Sequence, residues 1–488
     1  MYQITILPNE QILLAEPGSN LLEVLRTANL APDAPCGGNG TCGKCRVIID
    51  GEEVLSCRTT VDRDLTVTLK QKAGLNILRT GVELDLKMDP MKEGDLIAID
   101  IGTTSVVCFL LDGKTGKEIA STSMLNPQSP FGADVISRIQ SALGGTMEQQ
   151  TAVIRGGITK LIKQVCPDPK TVGVVSVVGN PCMQQLFLGV SPKNLAGVPF
   201  APVLTEAKTM ACKDVLPICE NAELLIVPDI SGYIGADTMG CVLSTKMYES
   251  DKITLMVDIG TNGEMVLGSK ERMIACSTAA GPALEGANIH FGMRGTEGAI
   301  DHVWIEEGEL KCSVIGGGEA KGICGSGLID AIAVLLELKK LNKRGKMDSD
   351  TEVEGQKVIY LKDSIYLTQD DIRQVQMAKG AIYAGIALMA KQLGIEVKDI
   401  QQVLLAGAFG NYLNPASACR MGLLPEELLE RIVPVGNAAG SGAKLLACDK
   451  NILPLSQNLI EKIEFLELAS LPEFSRTFAK SMNFQEVK

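Results

Sequence analysis

Histidine is almost missing from this chain: His290 and His302 are its only two. That leaves little room for a histidine-built metal centre, in which rings must converge on one ion. A basic excess is missing as well. Lys and Arg number 46 against 58 Asp and Glu, a net charge of −12, so the basic face of a nucleic-acid binder is not expected. No apolar run reaches the roughly 18 residues of a membrane-spanning helix. The opening MYQITILPNE has neither a basic n-region nor an apolar h-region, so no leader is expected. These absences predict a cytoplasmic protein that contacts neither membrane nor nucleic acid, with its 15 cysteines kept reduced. What the chain does have is glycine, 50 of its 488 residues, which predicts tight turns and sites lined by backbone. A hydrophobic content of 45% is enough for the cores of two or three domains.

The cysteines are unevenly placed. Cys36, Cys42 and Cys45 share one glycine-rich loop, and Cys57 follows after a short hairpin. Four thiolates suit iron in an all-sulfur site, and glycines let backbone N–H groups approach sulfur. The rival is a four-cysteine zinc site, but zinc ribbons pair two short C-x2-C knuckles and here the fourth cysteine stands alone. The five residues between Cys36 and Cys42 resemble the adrenodoxin-like [2Fe–2S] ferredoxins rather than the plant type. The other eleven cysteines show no metal-ligand spacing and read as small buried hydrophobes.

Residues 1–70 carry a β-grasp order. Tyr2–Leu7 and Gln11–Glu16 alternate around a turn. Ser19 is placed to cap a helix bearing Leu21, Leu22, Val24, Leu25 and Ala28, and Asp50-Gly51 joins Cys45–Ile49 to Glu53–Cys57. Leu65–Leu69 closes the sheet. Residues 71–93 read as a connector, which as a flexible chain would reach roughly 25–30 Å. From residue 94 onward, strands alternate with amphipathic helices. Those at Val135–Leu143 and Ile372–Leu393 read as scaffold. Asp-Ile-Gly-Thr occurs twice, as Asp100-Ile-Gly102-Thr103-Thr104 and as Asp258-Ile-Gly260-Thr261-Asn262, each between two apolar strands. That repeat predicts two related lobes, 94–252 and 253–488. Each turn offers N–H groups and hydroxyls to phosphate, and its aspartate can hold hydrated Mg2+. A single such turn could be a plain hairpin; two in matching contexts predict a polyphosphate clamp.

The two turns resemble the phosphate-1 and phosphate-2 motifs of the superfamily of acetate and sugar kinases, heat-shock chaperone ATPases and actin. Gly407-Ala408-Phe409-Gly410-Asn411 resembles that superfamily's adenosine loop. Gly436-Asn437-Ala-Ala-Gly440-Ser-Gly442 resembles its second connecting helix, and Val178-Gly179-Asn180 stands where the first connecting segment belongs. With the cysteine unit in front, the chain resembles the ATP-dependent reductive activators of corrinoid proteins. So do the stretches around Gly281 and Glu285, Gly316–Asp330 and Pro228–Asp237. Two departures stand out. The connector is too short for the linker and middle domains of the corrinoid-iron–sulfur-protein activators, and Pro181, Cys182 and Gln184 occupy positions where Thr or His is expected.

The resemblance implies a β-grasp [2Fe–2S] domain followed by a duplicated actin-like (ribonuclease H-like) ATPase. Its cofactors would be a [2Fe–2S] cluster on Cys36, Cys42, Cys45 and Cys57, ATP, and Mg2+ on Asp100 and Asp258. The reaction would reduce cob(II)alamin to cob(I)alamin on the corrinoid protein of a methyltransferase system, fed by an external low-potential donor. A homodimer is left open. Gly281, Gly325 and Ser326 are expected at the nucleotide, although Gly316–Gly327 also reads as a plain turn and helix entry. Glu264 orients the attacking water or is a strand-end charge; Asp237 shares that role or caps a loop. His290 and His302 read as ordinary hydrogen-bonded residues. The alternatives are an ATP-gated donor to another low-potential metalloenzyme, a small-molecule kinase with a fused redox domain, and a non-catalytic scaffold.

Overall fold

The computed structural model describes the chain except residues 8–10, 29, 33, 35–37, 39, 41–44, 70–80 and 486–488, and gives backbone only for 408, 409 and 411. The N-terminal unit is a five-stranded β-grasp sheet in the order Gln11–Ala15, Tyr2–Leu7, Leu65–Thr68, Arg46–Ile49, Glu52–Leu55. Its first strand runs parallel to the last one in sequence, Ile4 opposite Leu65. Asp50 and Gly51 take φ of 52° and 89°, the left-handed pair that a two-residue hairpin requires. The helix is Leu21–Thr27. Its cap is Asn20 rather than Ser19, because the Asn20 side chain accepts from the Leu22 N–H while the Ser19 backbone is taken up by Glu16 and Val61. Leu21, Leu22 and Leu25 meet Ile4, Val47 and Val67 in a small core.

The rest of the chain is a duplicated actin-like fold. The first lobe's sheet orders Lys208–Ala211, Glu223–Ile226, Val172–Gly179, Asp95–Ile101, Ser105–Leu111, Glu118–Leu125. The second repeats the plan with Ile432–Gly436, Gln402–Ala406, Thr254–Ile259, Gly263–Ser269, Arg272–Thr278 and the added edge strand Ile463–Phe465. In each lobe the Asp-Ile-Gly-Thr turn joins the central strand to its antiparallel neighbour, Asp100 opposite Val107 and Asp258 opposite Glu264. Two small three-stranded sheets, within Ala299–Ile323 and Glu352–Thr368, are inserted into the second lobe. The scaffold helices are Val135–Ser141 and Gln369–Leu393.

Helices Ala236–Thr245 and Ala438–Cys448 cross between the lobes at glycine. A β-carbon on Gly442 would lie 2.3 Å from the Gly240 backbone, so only two bare backbones allow the crossing. Ser244 Oγ donates to the Ala438 carbonyl at 2.8 Å across it.

The connector is not free along its length. Val82, Leu84, Leu86 and Met88 pack on the core around these hinge helices. Asp89 N–H donates to the Cys448 carbonyl, and Lys450 N–H to the Asp89 carbonyl, both at 2.8 Å. Inward Val82, Leu84, Leu86 and Met88 alternate with exposed Glu83, Asp85 and Lys87. That period-two pattern was a sequence signal for an extended strap. Of the expected connector 71–93, only residues 71–80 fall outside the described chain. Among the described residues no helix is long and apolar enough to cross a membrane.

Candidate active site

Cys45 and Cys57 stand at one end of the hairpin Arg46–Leu55. Ser56 N–H and Oγ both donate to the Cys45 carbonyl at 2.9 Å, and Asn20 Nδ2 donates to the Cys57 carbonyl at 2.8 Å. Cys45 is buried and Cys57 half-buried. Cys36 and Cys42 lie outside the described residues. Between them Gly38 and Gly40 hold φ of 98° and 76°, a left-handed backbone suited to a loop that wraps a cluster. Arg58 closes over it, donating to the Gly40 carbonyl at 2.9 Å. The paired cysteines and this glycine cradle fit a [2Fe–2S] group. Of the other eleven cysteines, all are buried except half-buried Cys312.

The two Asp-Ile-Gly-Thr turns face each other across the interlobe cleft. Thr104 Oγ1 and Thr261 Oγ1, one from each lobe, both donate to the same Glu285 oxygen, at 3.3 and 3.2 Å. Asn180 Nδ2 donates to Thr103 Oγ1 at 3.0 Å while its Oδ1 caps the next helix through the Met183 N–H. Pro181 is therefore the first residue of that helix, where its missing N–H costs nothing. On the other side, Gly407, at φ 80°, backs onto Asp258: a β-carbon there would sit 2.3 Å from Asp258 Oδ1. Gly407–Tyr412 forms a short helix, and the side chains of Ala408, Phe409 and Asn411 lie outside the described residues. A cleft of about 840 Å³ continues from Thr261, Asn262 and Gly281 to Asp134, Ser137 and Tyr233 of the first lobe.

Carboxylates crowd the cleft floor. Burial pushes Asp100 up to about 7, Asn437 opposing and Asp237 adding to the rise. Burial also takes Asp258 up to about 7, with Asp237, Asp100 and Glu285 as repelling neighbours. Asp237, at the start of its hinge helix, rises to about 6 through burial, held back by backbone N–H groups. Glu264 is driven well above the carboxylate range by burial, then by Asp237 and Asp258. Glu285 is raised by burial against the pull of Arg294 and the two threonine hydroxyls. Such mutual repulsion is relieved by a hard divalent cation, which fits this donor set.

Ser326 Oγ donates to the Asp301 carbonyl at 2.9 Å, and Gly325 and Ser326 are both buried at the entry of helix Gly325–Glu337. Gly316–Gly318 is a solvent-exposed turn. His290 Nε2 meets Tyr366 Oη at 3.3 Å and His302 Nδ1 meets Asp330 at 3.1 Å, as expected of ordinary partners. Glu285 was the missed residue. It stood inside the Gly281–Gly286 stretch, but its two hydroxyl partners are remote in sequence.

Three family models match consecutive stretches: a 2Fe-2S iron-sulfur cluster binding domain over residues 4–72, the RACo middle region over 96–250, and the C-terminal ASKHA domain of RACo over 252–488. The second match corrects one expectation. The middle region is not missing from a short connector; it coincides with the first actin-like lobe. The corrinoid activation enzyme RamQ of Eubacterium limosum is 32% identical over 95% of both chains. The [Co(II) methylated amine-specific corrinoid protein] reductase of Methanosarcina barkeri is 28% identical, over 80% of this chain and 76% of that one. A solved reductive activator for corrinoid, iron-sulfur protein superposes with a TM-score of 0.74 at 26% identity, covering 100% of this chain and 99% of that one.

Proposed function

We infer the activity from kinship and site together: the chain belongs to the family of RACo-type reductive activators of corrinoid proteins. It is an ATP-driven reductase that returns a corrinoid protein from cob(II) to cob(I), one electron at a time, through a [2Fe–2S] cluster. The observation that carries this reading is Glu285 joining Thr104 and Thr261 across a cleft on the same chain as the cysteine loop. Bound at Cys36, Cys42, Cys45 and Cys57, the cluster supplies a one-electron carrier between an external low-potential donor and the corrinoid.

The chain's own residues account for the coupling. Gly102, Thr103 and Thr104 cradle one side of the polyphosphate, and Gly260, Thr261 and Asn262 the other. Asp100 and Asp258 would hold hydrated Mg2+, whose charge would relieve their repulsion. Gly407–Asn411 receives the adenosine. Glu264, beside Asp258, or Asp237 orients the attacking water. Nucleotide bound to both turns draws the lobes together about the Gly240–Gly442 crossing. That closure favours one state of the docked corrinoid protein, to the extent that ATP binds the two states unequally. Hydrolysis to ADP and phosphate reopens the cleft. The test is anaerobic mixing with a cob(II) corrinoid protein, reductant and MgATP. Cob(I) absorbance should appear only when all components are present, and its absence under those conditions would refute the reading.

A further inference from the structure

The iron–sulfur domain touches the first lobe through a buried arginine. Arg26, in the last turn of helix Leu21–Thr27, is 5% exposed. Its Nε donates to the Pro130 carbonyl at 2.7 Å and its Nη2 donates to the same oxygen. The guanidinium carbon lies 5.3 Å from the centre of the Phe131 ring, and Glu23 pairs with Nη1. Its other flank meets the cysteine loop: a β-carbon on Gly38 would lie 3.6 Å from Nη2.

The segment that Arg26 holds is suspended from the first phosphate turn. On one side, Asn126 Nδ2 donates to the Gly102 carbonyl at 2.8 Å and Asn126 N–H to the Thr104 carbonyl at 2.9 Å. On the other, Arg138 Nε donates to the Gly132 carbonyl at 3.0 Å and its Nη2 to the Thr103 carbonyl at 2.6 Å. Residues 126–132 are therefore tied at both ends to Gly102–Thr104 and gripped in the middle by the iron–sulfur domain. The strap Val82–Met88 joins that domain's chain to the hinge helices as well.

We propose that Arg26 is a positioning residue that links the iron–sulfur domain to the first phosphate turn, so that nucleotide occupancy and the cluster's redox state bias one another. The proposal rests on the cluster and nucleotide sites assigned above. A guanidinium buried between the cysteine loop and a lobe carbonyl is shared by both. An added electron on the cysteine side draws on the donors that hold Pro130, and a rearranged phosphate turn moves Pro130 itself. Linkage makes the effect reciprocal: whatever factor reduction applies to nucleotide affinity, nucleotide applies to reduction.

The test is titration of magnesium AMPPNP into the full-length protein, oxidised and dithionite-reduced, for wild type, Arg26→Gln, Arg26→Lys and Phe131→Leu. The two wild-type Kd values should differ about fivefold or more. That corresponds to a shift of about 40 mV in the one-electron midpoint at saturating nucleotide. Arg26→Gln should bring the ratio within about twofold of one, with the cluster absorbance retained, and Arg26→Lys should fall between. Equal wild-type affinities, or a full ratio surviving in Arg26→Gln, would overturn the proposal. If Arg26→Gln loses its cluster, Phe131→Leu decides: a smaller ratio supports the link and an unchanged ratio overturns it. A wild-type protein without cluster absorbance or nucleotide binding would instead refute the functional reading.

Discussion

Asn437 Nδ2 donates to Asp100 Oδ2 at 2.9 Å. The same side chain caps its own helix, its Oδ1 accepting from the Gly440 N–H at 2.6 Å. One residue therefore begins the second lobe's hinge helix and holds the first lobe's aspartate. The two roles separate by substitution. Asn437→Asp keeps a good cap but replaces the donor to Asp100 with a second anion. Thermal stability should change little, while ATP turnover falls on the order of tenfold or more, the scale of one lost charge-assisted bond. Asn437→Ala should lose both, with about 1 kcal/mol of stability gone from the cap. Denaturant unfolding beside ATPase kinetics distinguishes them.

The raised carboxylates set a pH dependence. Asp100 and Asp258, both near 7, bind protons more tightly folded than unfolded. Their contribution to stability is fully present below the ordinary aspartate range and is lost as pH rises through about 7. In metal- and nucleotide-free protein, Asp258→Asn should therefore lose less Tm than wild type between pH 5 and pH 8. Mg2+-nucleotide binding to wild type should run the other way, tightening over the same range as the carboxyls ionise. Identical slopes for both proteins would show that Asp258 is not a raised group.

Glu285 separates geometry from charge. Glu285→Gln still presents an oxygen to Thr104 and Thr261, but removes one of the charges that raise Asp258. Its ATPase pH profile should move to lower pH with the maximal rate largely kept. Glu285→Ala removes the bridge between the turns and should cost turnover on the order of tenfold. Equal behaviour of the two variants would mean that the bridge plays no part.

The hinge crossing has no spare volume. Gly442→Val should destabilise the protein by about 1–3 kcal/mol through overpacking against Gly240, and cob(I) formation should fall more than nucleotide binding does. Measured unfolding midpoints and MgATP affinity check this.

Much of this was legible in the chain because it was local. Asp50-Gly51 and the two Asp-Ile-Gly-Thr turns each specify local geometry within a few residues, and the glycines at 440 and 442 mark a helix face bare enough for a close crossing. The strap Val82–Met88 is equally local: its alternation of apolar and charged residues signals one covered face within what otherwise reads as a connector. What could not be read was pairing across long separations. Glu285 with Thr104, Asn437 with Asp100 and Arg26 with Pro130 have no spacing rule, since the fold alone brings them together. Ser326 meets the same limit: the glycine-flanked serine reads as a nucleotide contact, and the fold gives its hydroxyl a partner that no spacing predicts, the Asp301 carbonyl.

The most direct test of ATP-coupled reduction follows cob(I) absorbance anaerobically, with excess reductant and a cob(II) corrinoid protein, for wild type and Asp258→Ala with and without MgATP. Wild type should form cob(I) only with MgATP, while Asp258→Ala should still take an electron into its cluster and leave the partner as cob(II). Cob(I) accumulating at the same rate and extent without nucleotide, or in Asp258→Ala as in wild type, would contradict the coupling.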